Sequence, residues 1–112
     1  MDLAREVALV VTVGQGDGET IIGGAHYWVF ESDAVRSAEI AFTVEEDYQG
    51  QGIAGSLLQH LIRIARDRGL ARLEAKVLPR NSAMLAVFSH CGLPMTVERR
   101  DDLIHVTLTL AE

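Results

Sequence analysis

The stretch Val44–Leu58, VEEDYQGQGIAGSLL, constrains the architecture more than any other part of the chain. Before it, Glu39–Val44 (EIAFTV) alternates with a period of two. Ile40, Phe42 and Val44 fall on one side, and Glu39, Ala41 and Thr43 on the other. After it, Ile53, Leu57, Leu61 and Ile64 recur with a period of about 3.6, and Leu58 and Ala65 widen the stripe. A strand therefore passes through a glycine-rich turn, Gln49–Gly52, directly into an amphipathic helix. Arg63, Arg66, Asp67 and Arg68 occupy its wetter side, and Gly69 is a natural stop.

The flanking segments follow the same two periods. Val7–Val13 (VALVVTV) is a β-branched run with apolar residues on both sides, which predicts a strand with covering layers on both faces. Gly14–Glu19 makes a turn, and Thr20–Phe30 is a second strand. The pair Gly23-Gly24 within it marks a bulge or a close approach of backbones. Ala71–Val77 alternates again. Asn81 is placed to cap a short helix, Ser82–His90, whose apolar stripe is Met84, Leu85, Phe88 and Cys91. Leu93–Arg99 and Leu103–Leu110 close the chain as two strands. The order β-β-β-α-β-α-β-β predicts an α/β fold, a mixed and mostly antiparallel central sheet with flanking helices, as one domain over residues 1–112.

Composition narrows the function. Ten Lys and Arg against sixteen Asp and Glu give a net charge of −6, which argues against a general nucleic-acid or anionic-membrane binder. Cys91 is the only cysteine, so neither an intrachain disulfide nor a cysteine-rich metal site can form, and it reads as a small buried hydrophobe. His26, His60, His90 and His105 have no metal-ligand spacing, so no metal is expected. No apolar run is long enough to span a bilayer and the start lacks a leader pattern, so a cytoplasmic protein is expected.

An acidic chain can still bind an anion through backbone amides. The first turn of a helix has unpaired N–H groups and the positive end of the helix dipole. Gly50 and Gly52 permit a tight turn and remove side chains that would hold an anion away, while Ala54 and Gly55 keep the first helical turn small. No GK[ST] follows, so this is not a P-loop. Two readings stand on these residues alone: a pyrophosphate site, or a tight β–α connection whose glycines serve geometry.

The run Gln49-x-x-Gly52-x-Ala54 after a Val-ended strand resembles the acyl-CoA signature Q/R-x-x-G-x-G/A of the GNAT superfamily of N-acetyltransferases. Asn81 opening a short helix, with Phe88 and then Gly92-Leu93, resembles the second motif of that superfamily at a fitting distance. The resemblance implies a GNAT fold and acetyl-CoA as co-substrate. The pantetheine arm would lie on the backbone of Phe42, Thr43 and Val44. The pyrophosphate would sit on the amides of Gln49, Gly50, Gln51, Gly52, Ile53, Ala54 and Gly55, with a hydroxyl from Ser56. Gln49 would offer an amide where an arginine is commoner. Asn81 would contact the cofactor arm or fix the splay between strands, and Phe88 would stand against the cofactor groove.

Acyl transfer to an amine needs a neutral amine, donors for the oxyanion and a proton for the thiolate. AEIAFTV resembles the corresponding strand of bacterial protein-lysine acetyltransferases that regulate acyl-CoA synthetases, and that likeness implies Glu39 as general base. The bland alternative is a solvated carboxylate at a strand entry. The resemblance puts the general acid, a tyrosine, where this chain has Phe88, which cannot donate a proton. The oxyanion donor is expected to be a backbone N–H near Phe42–Val44. The acidic patch Glu45–Asp47 suits a basic acceptor or is a solvated loop, His60 reads as a rim residue, and Trp28 is assigned to the sheet core ahead of an acceptor groove.

The superfamily ordinarily has a strand and two helices before the position of Val7–Val13, so the resemblance implies a truncated or minimal member, with Val7–Val13 expected as an edge strand. Its unprotected edge predicts a homodimer. The expected function is acetyl transfer from acetyl-CoA to a primary amine such as a protein lysine. The alternative, favoured by Phe88 and the short start, is a non-catalytic acyl-CoA-binding or protein-interaction module.

Overall fold

The computed structural model describes residues 5–14, 16–32, 34–45, 49–50 and 52–110, with backbone only at Asp17 and Ser32. Its elements follow the order expected from the sequence. They are β1 (Glu6–Val13), a 3₁₀ turn at Gly16–Gly18, β2 (Thr20–Ser32), β3 (Val35–Val44), α1 (Ile53–Asp67), β4 (Arg72–Val77), α2 (Ser82–Ser89), β5 (Met95–Arg100) and β6 (Leu103–Thr109). The six strands form one sheet in the order β1-β2-β3-β4-β6-β5. All neighbours are antiparallel except β3 and β4, which are parallel because α1 carries the chain across the sheet between them.

One apolar cluster unites the sheet with both helices. Ala25 and Tyr27 of β2, Ala38 and Ile40 of β3, Leu73, Ala75 and Val77 of β4, and Val106 and Leu108 of β6 meet Leu57, Leu58, Leu61, Ile62 and Ala65 of α1 and Phe88 of α2. The buried stripe of α1 is turned from the expected one: Ile62 is inside, whereas Ile53 and Ile64 are only partly covered. The helix ends in a Schellman motif, with Leu70 N–H bonded to Ala65 C=O and Gly69 N–H to Arg66 C=O. Arg68 at this end donates to the hydroxyl of fully buried Tyr27 at 3.4 Å, which ties α1 to β2.

The opposite face of the sheet carries no helix among the described residues. The expectation that β1 has cover on both faces is therefore overturned: Val7, Leu9 and Val11 are half-buried, while Ala8 and Val10 face outward and Val10 is 63% exposed. Trp28 is also not a core residue. It is 40% exposed on this bare face, because β2 places its odd-numbered residues Ala25, Tyr27 and Val29 toward the helices. The Gly23-Gly24 pair proves to be a close approach of backbones, with a bulge beside it rather than within it. The register slips between Val11 and Thr12, leaving Ile22 as the extra residue. A Cβ on Gly23 would lie 3.1 Å from Thr43 O and 3.4 Å from the Ile53 side chain, so this glycine lets the start of α1 settle on the sheet.

The two sheet edges differ. β5 is charged through Glu98, Arg99 and Arg100, and the hydrogen bond from Arg100 holds the Glu98 carboxyl below its usual range. β1 has no comparable protection. No helix among the described residues is long and apolar enough to cross a membrane.

β5 and β6 join through Asp101 and Asp102, both left-handed at φ 51° and 64°. This is the backbone of a type I′ hairpin, whose second position favours glycine. Asp102→Gly removes the steric cost of an L side chain there and is expected to stabilise the fold by about 1 kcal/mol. Urea unfolding of the two chains measures this, and an unchanged or lowered midpoint would refute it.

Candidate functional site

The site begins where two strands part. β3 and β4 pair only at Ser37–Arg72, Ala38–Leu73 and Glu39–Glu74, yet β3 continues to Val44 and β4 to Val77. Beyond Glu39 the two strands diverge. The bond from Ala71 N–H to Arg36 C=O turns even-numbered residues of β3 toward β4, and Glu45 N–H on Ile22 C=O turns odd-numbered ones toward β2. Ile40 N–H belongs to the last pair, on Glu74 C=O, so beyond it Ile40 C=O and the N–H and C=O groups of Phe42 and Val44 face the side that β4 has left.

A cleft of about 330 Å³ occupies this opening, within the range of small-molecule sites. Phe42 and Val44 form one wall, the turn and first helical residues Gln49, Gly50, Gly52, Ile53, Ala54 and Gly55 the end, and Asn81, Ala83, Met84 and Val87 the other wall. Gly50 and Gly52 have φ of 83° and 80°, a left-handed geometry that L residues resist. Helix α1 has no side-chain cap and no acidic residue in its first turn. Ser56 N–H is the first to bond inside the helix, on Gly52 C=O at 3.0 Å, so the N–H groups of Ile53, Ala54 and Gly55 have no intrahelical partner. An ideal Cβ on Gly50, Gly52 or Gly55 would meet nothing within 4 Å. Bare N–H donors, open space and the positive helix end together suit an elongated ligand that carries an anionic group.

The expected residues divide into those the cleft gathers and those it does not. Thr43 does not line it: its backbone faces Gly24 of β2 and its side chain stands on the bare face, opposite the even-numbered wall. Ser56 is exposed and lies outside the lining. Phe88 is 1% exposed and meets Phe42 edge-on at 6.0 Å between ring centres, so it supports the wall from the core. Gln49 spends its amide on the turn itself, Nε2 donating to Val44 C=O at 3.1 Å. Asn81 caps α2, its Oδ1 accepting from Met84 N–H at 3.2 Å, which leaves its amide N–H₂ for the cleft. Gln51, and Glu46 and Asp47 of the acidic patch, lie outside the described residues.

Glu39 stands at the last paired position, half-exposed on the bare face. Lys76 reaches it from β4, with Nζ 3.8 Å from Oε2. Across β2 lies Trp28, whose ring stacks on His26 at 4.1 Å, and His26 Nε2 is 3.2 Å from Glu6 Oε1. Sequence reasoning missed three features: the α2 wall, the Lys76 contact and the His26–Trp28 pair. The wall residue Met84 had been read only as core, and the other two depend on cross-strand register, which no single strand reveals.

Residues 3–93 match the model of the acetyltransferase (GNAT) family. The chain is 37% identical over 103 residues to acetyltransferase Pat of Mycolicibacterium smegmatis, covering 92% of this chain and 29% of that protein. It is 38% identical over 58 residues to the ribosomal protein bS18-alanine N-acetyltransferase of Escherichia coli K12, covering 52% of this chain and 39% of that one. The chain thus spans well under half the length of these curated relatives. Among solved structures it resembles the GNAT domain of S. lividans PAT, with a TM-score of 0.79 and 30% identity over 94% of this chain and 61% of that one. It also resembles yncA of Salmonella typhimurium, solved with its cofactor acetyl-CoA, at a TM-score of 0.70 and 26% identity over 83% and 60%. The family model covers most of the chain, and the cleft lies between the strand, turn and helix that carry its signature: the chain belongs to the GNAT acetyltransferase family.

Proposed function

We propose that the chain transfers an acetyl group from acetyl-CoA to a primary amine, with a protein lysine as the acceptor class. One observation carries this reading: the free backbone edge of β3 beyond Glu39 runs, within a single cleft, into the uncapped and side-chain-free start of α1. The fit to acetyl-CoA is supported by the open space over Gly50, Gly52 and Gly55. Phe42 and Val44 would hold the amide-bearing arm through their backbones, the N–H groups at the start of α1 the pyrophosphate, and Asn81 the flank. Acetyl-CoA supplies an activated acyl carbon and a thiolate leaving group.

The remaining tasks fall to this chain's own residues. An acceptor lysine has an ordinary pKa near 10.4, so a base must take its proton. Glu39 is one of two carboxylates at the point of divergence, with Glu74, and its half-exposed position keeps it open to an amine arriving over the bare face. The N–H of Phe42, turned to the same opening, suits an oxyanion. Phe88 offers no proton and is buried, so the thiolate leaves unaided or takes its proton from water or the acceptor nitrogen; a thiol of pKa about 8.5 is already a fair leaving group. Phe88 is equally what favours the second reading, an acyl-CoA-binding module without turnover. A protein acceptor is supported by the name of one relative, which specifies an alanine on a ribosomal protein. We place this activity in the cytoplasm, where a lone cysteine stays reduced.

The unprotected β1 edge supports a homodimer. Arg5 C=O accepts from Val29 N–H, so odd-numbered residues of β1 face β2 and the backbone groups of Glu6, Ala8 and Val10 face outward, beside the exposed Val10 side chain.

Three measurements test these readings. Acetyl-CoA at a hundredfold excess over its Kd is expected to stabilise the fold by about 2.7 kcal/mol, seen as a raised melting temperature. Gly52→Asp places a negative charge in the anion cradle and is expected to abolish that shift while remaining folded; a folded variant that keeps its affinity moves the site elsewhere. Glu39→Gln is expected to lower turnover roughly 10²–10⁴-fold with acetyl-CoA affinity unchanged, because the base acts only in the chemical step. Normal turnover in that variant would return Glu39 to a solvated strand residue, and binding without turnover in the parent chain would favour the module. Sedimentation equilibrium is expected to give a dimer mass, and a strictly monomeric mass at high micromolar concentration would exclude the pairing.

A further inference from the structure

Of the ten Lys and Arg residues in the chain, Lys76 alone is a lysine. The guanidinium of arginine does not lose its proton under ordinary conditions, so Lys76 is the one side chain that can present a primary amine as nucleophile. It is placed where a nucleophile would be needed. Glu39 and Glu74 form the last pair of β3 with β4, and Lys76 follows Glu74 by two residues on the same face, just beyond the point of divergence. From there Nζ reaches back to 3.8 Å from Glu39 Oε2. Both side chains are about half-exposed, 52% for Lys76 and 43% for Glu39, so the amine is not packed away and has room to turn. Between such exposed groups an ion pair contributes little to stability. Stability is thus a weak reason for a lone lysine at this position.

We propose that Lys76 is an internal acceptor, acetylated by its own chain. This rests on the acetyl-transfer reading above and on Glu39 as its base. Glu39 takes one proton from the Lys76 ammonium, and the neutral Nζ attacks the carbonyl carbon of the acetyl thioester. The N–C bond forms and the C–S bond breaks. The second nitrogen proton passes to the departing thiolate to give CoA, and Glu39 releases its proton to water. One acetyl-CoA is consumed and one CoA released per chain, with no change of oxidation state. Holding amine and base in one fold replaces a bimolecular encounter, the usual advantage of an intramolecular reaction. The product is a neutral amide, so the ion pair with Glu39 is lost.

The test is intact-mass spectrometry of the full chain incubated with acetyl-CoA, with fragmentation to locate the modification and a parallel assay on an added amine panel. A single acetyl group on Lys76 is expected, with one equivalent of CoA thiol released and a first-order rate that does not depend on protein concentration. Glu39→Gln is expected to slow it at least about 100-fold, and Lys76→Arg to abolish the mass gain. Acetylation confined to the α-amine of Met1, a rate proportional to protein concentration, or an equal rate in the urea-unfolded chain would each overturn the proposal. If the chain binds acetyl-CoA and acetylates added amines while Lys76 stays unmodified, this inference fails alone. If it neither binds nor turns over, the acetyl-transfer reading fails with it.

Discussion

The parting of β3 from β4 after Glu39 and Glu74 is the constraint on which the rest of the site depends. Continued pairing would close the ladder and leave no polar edge for a ligand. Divergence leaves Ile40 C=O and the backbone groups of Phe42 and Val44 without strand partners, a cost that a buried sheet would not tolerate. The cost is met in two ways. Gln49 satisfies the carbonyl of Val44, and the cleft keeps the other groups open to solvent or ligand. The apolar layer beneath holds the opening in shape, since Phe88 packs against Phe42 from the core side and α2 is fixed by its Asn81 cap.

The same arrangement is how a chain with net charge −6 would present the proposed anion site. Recognition is assigned to N–H groups whose positions are set by the left-handed Gly50 and Gly52 and by the absence of a capping carboxylate at α1. A side chain in this cradle would compete with a ligand for the same donors. Leaving the helix with a glycine cap gives up roughly a few tenths of a kcal/mol of local stability. The buried Leu57, Leu58, Leu61 and Ile62 offset this many times over.

Much of this was legible in the sequence, and the exceptions share a cause. The change of period across Gln49–Gly52, the Asn81 cap and the helix stop at Gly69 are local features, set by residues within one or two turns of each other, and the structure has them where the residues require. Period-two alternation separates two faces of a strand but does not say which one the helices cover. Trp28 was therefore put inside when it is outside, and Thr43 was put in a cleft that only its even-numbered neighbours line. Gln49 looked like a ligand group because its bond to Val44 depends on how the turn closes. The Lys76–Glu39 contact depends on parallel register between strands separated by a whole helix, which neither strand encodes alone.

The one-sided sheet gives these observations a common logic. Both helices bury the face that holds the core, and among the described residues the other face is mostly polar: Glu39, Glu74, Lys76, Thr96, Glu98 and Thr107 stand there. Its less polar part centres on β1 and β2, at Ala8, Val10 and Trp28, with Ala41 of β3 beside them. Covering the polar part would bury Glu39 and Lys76 and impose the desolvation cost of a buried ion pair. Covering only the β1–β2 part would remove apolar surface from water and leave the point of divergence open. A second copy joined along β1 reaches that part of the sheet first and lies three strands from β4. The distribution of polarity across the bare face thus separates the edge proposed for a partner chain from the opening proposed for an acceptor amine.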